Sequence, residues 1–130
     1  MRSQVDVKSL YQRAHAYYAS GKFEDAEGVF RLLTTIAPEQ SDFWFALGAT
    51  YQLQRKFNDA IESFGAAALL DKRELNPFPH AHAADCFFAM DEKEKAKMAL
   101  KSALAIAKKD SKHHAFVEKL QLLHNRWTNG

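Results

Sequence analysis

A single cysteine, Cys86, stands in the whole sequence, so no internal disulfide holds this chain together, and its thiol suits a reducing cytosol. Five glycines and three prolines are too few for the many tight turns of a β-sandwich or barrel. No apolar run approaches the about 20 residues of a membrane-spanning helix. The opening MRSQVDVKSL has no hydrophobic stretch of the kind a secretory signal needs. The formal net charge of +2 makes no strong electrostatic case for nucleic acid. The glycines are scattered, so no phosphate-cradling loop exists. No carboxylate pair sits alone in an apolar setting, and no nucleophile stands beside a base and a third orienting group. What is present is ordinary globular composition, 47% apolar and 26% charged, in 130 residues, enough for one domain. These bounds point to a soluble, cytoplasmic, all-helical non-enzyme without cofactor.

The best-formed stretch is FWFALGATYQLQRKFNDAIESFGAAALL, from Phe43 to Leu70. Trp44, Leu47, Gly48 and Tyr51 share one face of a helix, and Ala60, Phe64 and Ala67 share one face of a second, with a tight turn near Arg55 and Lys56 between them. Gly48 and Ala60 are small enough for two helix backbones to approach, and the rings of Trp44, Tyr51, Phe57 and Phe64 fill the space around that contact. The same pattern occurs 34 residues earlier, where Ala14, Tyr17, Phe23, Ala26 and Phe30 match Gly48, Tyr51, Phe57, Ala60 and Phe64. Leu10 replaces Trp44, Gly21 supplies the turn that Arg55 makes less comfortably, and Asp6 is placed to cap the first helix. The polar residues before it read as a frayed lead-in.

A third copy is shifted. Ala96, Leu100 and Ala103 follow Ala60, Phe64 and Ala67 by 36 residues, so two extra residues lie in DKRELNPFPH, residues 71–80. Pro77 and Pro79 there prevent a simple continuation of the preceding helix. A helix from about Phe78 to Met90 follows, then a turn at Asp91 and a helix from about Glu92 to Lys109. Phe116, Leu120, Leu123 and Trp127 then mark one more amphipathic helix, expected to cover the open face of the third pair. The alternation of large and small residues, in the order Trp, Leu-Gly, Tyr, Ala, Phe, Ala, resembles a tetratricopeptide (TPR) repeat. The expectation is an all-α TPR superhelix. Repeat 1 covers about 7–38, repeat 2 about 41–72, repeat 3 about 77–109, and a capping helix about 112–127, all in one domain, 1–130.

Three runs carry a narrower resemblance: LYQRAHAYYASGKFEDAEGVFRLLTTIAP, DFWFALGATYQLQRKFNDAIESFGAAALLD and NPFPHAHAADCFFAMDEKEKAKMAL. With Pro77, Pro79, His80, Ala84 and Cys86 opening the third repeat after the insertion, the chain resembles the class II chaperones of bacterial type III secretion. These are the LcrH/SycD-like TPR proteins that hold translocator subunits in the cytoplasm. The resemblance spans roughly residues 9–125. It implies a secreted translocator, or a gatekeeper protein that plugs the export channel, as partner, with neither nucleic acid nor stable membrane insertion. Members of that family carry an N-terminal helical arm used in dimerisation. Here the first repeat starts within ten residues of Met1, which leaves a homodimer open. His15 stands where the family often has an aromatic residue, so one pocket is expected to be more polar.

In a TPR superhelix the first helix of each pair lines a concave surface. Residues out of phase with the packing face point into it: Tyr11, Gln12, His15, Tyr18 and Ala19, then Asp42, Phe45, Ala46, Ala49 and Gln52, then Phe78, Ala81, His82, Asp85 and Phe88. Tyr11, His15, Tyr18, Phe45, Ala49, Gln52, Phe78, His82, Asp85 and Phe88 are the candidate partner-binding set, because aromatic side chains gathered on an exposed face mark an interaction surface. The plainer alternative is that some of them pack against an N-terminal arm or a neighbouring molecule. An extended guest segment would place apolar side chains in the spaces left by the alanines, and Gln52, His82 and Asp85 would hydrogen-bond its backbone. A general TPR scaffold not tied to secretion is the rival; scaffolds that clamp a terminal carboxylate use Lys, Arg and Asn at these inner positions.

Two sharper readings are outweighed. His82, Cys86 and the nearby His80 do not reach the four ligands of a structural zinc site, and Cys86 stands where a TPR helix buries a small residue. Lys93, Lys97 and Lys101 form a stripe, but Asp91, Glu92 and Glu94 interleave with it, so a solvated outer face is expected. His113 and His114, at a helix start, are expected to be solvated.

Overall fold

The computed structural model describes residues 6–129; the lead-in, residues 1–5, lies outside them. The first helix, α1 (Val7–Ala19), starts where Asp6 accepts hydrogen bonds from the Ser9 amide (3.2 Å) and the Ser9 hydroxyl (2.7 Å). This satisfies a donor that a helix start otherwise leaves open. Six more helices follow: α2 (Phe23–Ile36), α3 (Ser41–Leu53), α4 (Phe57–Leu70), α5 (Phe78–Ala89), α6 (Lys93–Ala107) and α7 (His114–Asn129), the last preceded by a 3-10 turn, Ser111–His113.

Three of the connections are copies of one device. Gly21 (φ 75°), Arg55 (φ 61°) and Asp91 (φ 61°) all take the left-handed conformation. The amide after each, on Lys22, Lys56 and Glu92, reaches back 2.9 Å to the carbonyl of Tyr17, Tyr51 and Phe87. This is the Schellman ending of a helix, and it turns the chain sharply enough to lay each second helix on its first. Glycine adopts that conformation without penalty; arginine and aspartate do so against their Cβ.

The close approach inside the second pair differs in detail from the expected backbone contact. A Cβ on Gly48 would lie 2.8 Å from the ring of Phe64, so Gly48 makes room for that ring rather than for the backbone at Ala60. Phe64 and Ala60 are fully or almost fully buried and form one cluster with Cys86 of α5, which joins the second pair to the third. Cys86 is therefore a packed thiol, and burial pushes its pKa up to about 11.

Pairs one and two are tied by Glu27, whose carboxylate accepts from Gln54 Nε2 (3.0 Å) and Lys56 Nζ (2.9 Å). Burial works against its ionisation, but these hydrogen bonds and the charges of Lys56 and Arg31 hold it below the usual carboxylate range. The loop before α5 is built on Asp71, whose carboxylate takes the amides of Leu75 (3.0 Å) and Asn76 (2.8 Å); Asn76 in turn accepts from the Phe78 amide. Pro77 caps α5 and Pro79 occupies its first turn, where a missing amide costs nothing. α7 closes the end: Phe116, Val117, Leu120, Leu123 and Trp127 pack on Ala84, Leu100, Ala103, Leu104 and Ala107. The architecture is a TPR superhelix of three helix pairs with a terminal helix laid on the third.

Candidate partner-binding groove

The first helices α1, α3 and α5 lie side by side, and the inner positions of α1 and α3 meet around a cavity of about 270 Å³. Its walls are Tyr11, His15 and Tyr18 from α1, and Asp42, Phe45, Ala46 and Ala49 from α3. The rings interlock edge to face: Tyr11 and His15 have centroids 4.5 Å apart, and His15 and Phe30 5.7 Å apart at 88°. That geometry sets the positive edge of one ring against the negative face of the next. Five of the ten candidate residues thus line one depression, half-buried except for the exposed His15.

The floor contains a residue outside the candidate set. Phe30 belongs to a second helix, α2, and is fully buried, yet its ring reaches the cavity between the two first helices. Its spacing marks it as a packing residue, and that is also what it is; nothing in the spacing tells that a ring at that depth forms the floor of a groove.

The neighbouring part of the groove is polar and aromatic together. His82 of α5 lies 3.1 Å from Gln52 of α3 through Nδ1 and the side-chain oxygen. Its ring stacks on Phe64 (5.4 Å, 27°) and meets Phe45 edge-on (5.3 Å, 83°). Burial lowers the His82 pKa, and the charge of Asp85 opposes the shift. Partial desolvation raises the Asp85 pKa, with His82 opposing it. Both changes favour the neutral forms. Desolvation likewise raises the Tyr11 pKa, helped by the charge of Asp42, so its hydroxyl remains a donor at neutral pH.

The remaining two candidates are placed differently. Phe78 packs against Phe116 (4.7 Å) and His113 (5.8 Å), and Phe88 against Trp127 (4.4 Å), so both ends of α5 are engaged by α7. These two contacts run in the same order along both helices, so α7 lies parallel to α5, in the place of a further first helix. His113 is not solvated as expected: its Nε2 is buried without a partner, beside Phe78. His114 is exposed, 3.5 Å from Glu118. The lysine stripe also divides. Lys97 pairs with Glu94 (3.5 Å), and Lys93 and Lys97 line a cleft with Phe88 and Trp127 instead of standing on a wholly solvated face. Among the described residues no group of three or more His, Cys, Asp or Glu is placed to hold a metal ion, and no helix is long and apolar enough to cross a membrane.

Comparison with known proteins assigns residues 7–50 and 41–73 to two models of the tetratricopeptide repeat. The low calcium response locus protein H of Yersinia pestis is 36% identical over 98 residues, 75% of this chain; the chain spans 57% of that relative's length. Among solved structures, the Yersinia enterocolitica type III secretion chaperone SycD in complex with a peptide of the translocator YopD superposes with a TM-score of 0.89 at 27% identity, over 97% of this chain and 95% of that one. PcrH in complex with the chaperone binding region of PopD has the same fold, with a TM-score of 0.90 at 24% identity over 99% and 98% of the two chains.

Proposed function

This chain belongs to the class II chaperones of bacterial type III secretion, the LcrH/SycD-like TPR family, and from that premise we propose that it holds an extended apolar segment of a secreted translocator, or of a gatekeeper protein, in its groove. It works in the bacterial cytoplasm, without catalysis, cofactor or ATP. The observation that carries this reading is the ring-lined cavity between α1 and α3. Its volume of about 270 Å³ suits one large apolar side chain, and its walls are rings and alanines with Asp42 as the sole charge. A carboxylate-clamping scaffold would need cations at these positions, and none lines the cavity.

Tyr11, His15, Tyr18, Phe45 and Ala49 would take the anchoring side chain. Gln52, His82 and Asp85 would hydrogen-bond the guest backbone beside it, since an extended segment has no internal partners for its amides and carbonyls. Phe78 and Phe88 would extend the groove along α5 only where their contacts with α7 leave a face open. Covering such a segment keeps a protein with exposed apolar surface from associating before export.

The test is co-expression with the product of a gene neighbouring its own. The reading expects the neighbour to remain soluble and to co-purify with this chain. A neighbour that stays insoluble and unbound contradicts it.

A further inference from the structure

A second cavity lies away from the α1–α3 depression and shares no residue with it. It has a volume of about 490 Å³ and is lined by Phe88 at the end of α5, Lys93, Ala96 and Lys97 in the first turns of α6, and Arg126, Trp127 and Thr128 at the end of α7. Phe88 and Trp127 meet edge to face at 4.4 Å and 77°, forming an aromatic corner. Around that corner stand three cations and no carboxylate. Lys97 has a partner in Glu94, which is almost fully exposed (86%) and outside the cavity. Among the described residues, no carboxylate forms an ion pair with Lys93 or Arg126. The interleaved acids Glu92 and Glu94 serve Lys95 and Lys97, so the charges of Lys93 and Arg126 are not neutralised by an ion pair within the described residues.

We propose that this cleft is a second docking site, separate from the groove, for an acidic segment of a partner protein. An aromatic or large aliphatic side chain of the segment fills the corner formed by Phe88, Ala96 and Trp127. Flanking carboxylates pair with Lys93, Lys97 and Arg126. Charge complementarity selects this occupant. The α1–α3 cavity carries Asp42 and no cation, whereas this one carries three cations and no acid, so the two sites select guests of opposite character. Carboxylates on Arg and Lys beside an aromatic wall are partly shielded from water, which strengthens their pairing relative to open solvent. The inference goes beyond the groove reading and does not depend on it.

Trp127 makes the site directly observable. The chain has two tryptophans. Trp44→Phe removes the other one, gives up its hydrogen bond to the exposed Pro38 carbonyl (2.8 Å) and keeps an aromatic ring against the first core cluster, so emission then reports on the cleft alone. The probe is a synthetic peptide, blocked at both ends, with a Phe-Leu pair flanked by glutamates; its counterpart carries lysines instead. The glutamate peptide is expected to change Trp127 emission saturably and the lysine peptide to leave it unchanged. Lys93→Ala with Arg126→Ala, both at exposed positions, should weaken the response roughly tenfold with helical content unchanged, because rim charges add to affinity and not to folding. Tyr11→Ala with Phe45→Ala should leave it as it was, which separates this site from the groove. No saturable change, an equal response to both peptides, or indifference to the Lys93 and Arg126 substitutions would overturn the proposal. An equal response to anionic lipid vesicles or to an oligonucleotide would also overturn it, since the cleft would then be a general anion surface.

Discussion

Gly48 shows how one hydrogen in place of a methyl group sets a helix crossing. A Cβ there would sit 2.8 Å from the Phe64 ring, which is itself held between Phe45 and His82 and cannot swing away. Gly48→Ala should therefore lower stability by about 1–3 kcal/mol, as overpacking does. Gly28→Ala and Gly65→Ala, with nothing within 4 Å of the added atom, should raise it by up to about 1 kcal/mol through helix propensity. Urea unfolding of the three variants checks both signs. His82 makes a pH prediction. Its folded pKa is below the ordinary 6.5, so the unfolded chain binds a proton first as the medium acidifies. The stability it contributes is present above pH 6.5 and is lost as pH falls through the folded pKa. His82→Gln should flatten the decline in stability between pH 7 and 5, read from urea midpoints across that range. Residue roles were unevenly legible in the sequence. The burial of Cys86 follows from its place on the packing face. The burial of His113 Nε2 does not, because it depends on Phe78, 35 positions away, lying beside it.

At the scale of elements, periodicity carried most of the information. Gly21, Arg55 and Asp91 stand at the repeat spacing, and all three make the same left-handed turn with the same 2.9 Å closing bond. The cost of that turn differs by residue, so Gly21→Ala should lower stability by about 1–2 kcal/mol and Asp91→Gly should raise it by a similar amount. Thermal or urea midpoints of the two variants read this directly, and equal small effects of both would mean that the turns are not strained. The insertion in 71–80 was legible as a break in spacing. Its physical basis, an aspartate holding two amides and an asparagine capping the next helix, was not, because Asp and Asn form such bonds in many loop geometries. α7 was legible as an amphipathic helix. Its parallel alignment with α5 was not, because it depends on a ring contact at each end between residues far apart in the chain.

At the scale of the molecule, stacking the pairs brings residues from α1, α2 and α3 into one depression that no single pair contains. Period-counting located the inner positions of α1 and α3, since residues out of phase with a packing face must point elsewhere. It could not locate Phe30, whose ring serves packing and groove at once. This depression is where a guest segment is proposed to sit. Isothermal titration of a purified type III translocator or gatekeeper protein, against the native chain and against Tyr11→Ala with Phe45→Ala, is the test. Affinity is expected to weaken at least about tenfold, the scale on which buried aromatic anchors act, with the circular dichroism of the variant still helical. Unchanged affinity in a helical variant would contradict it.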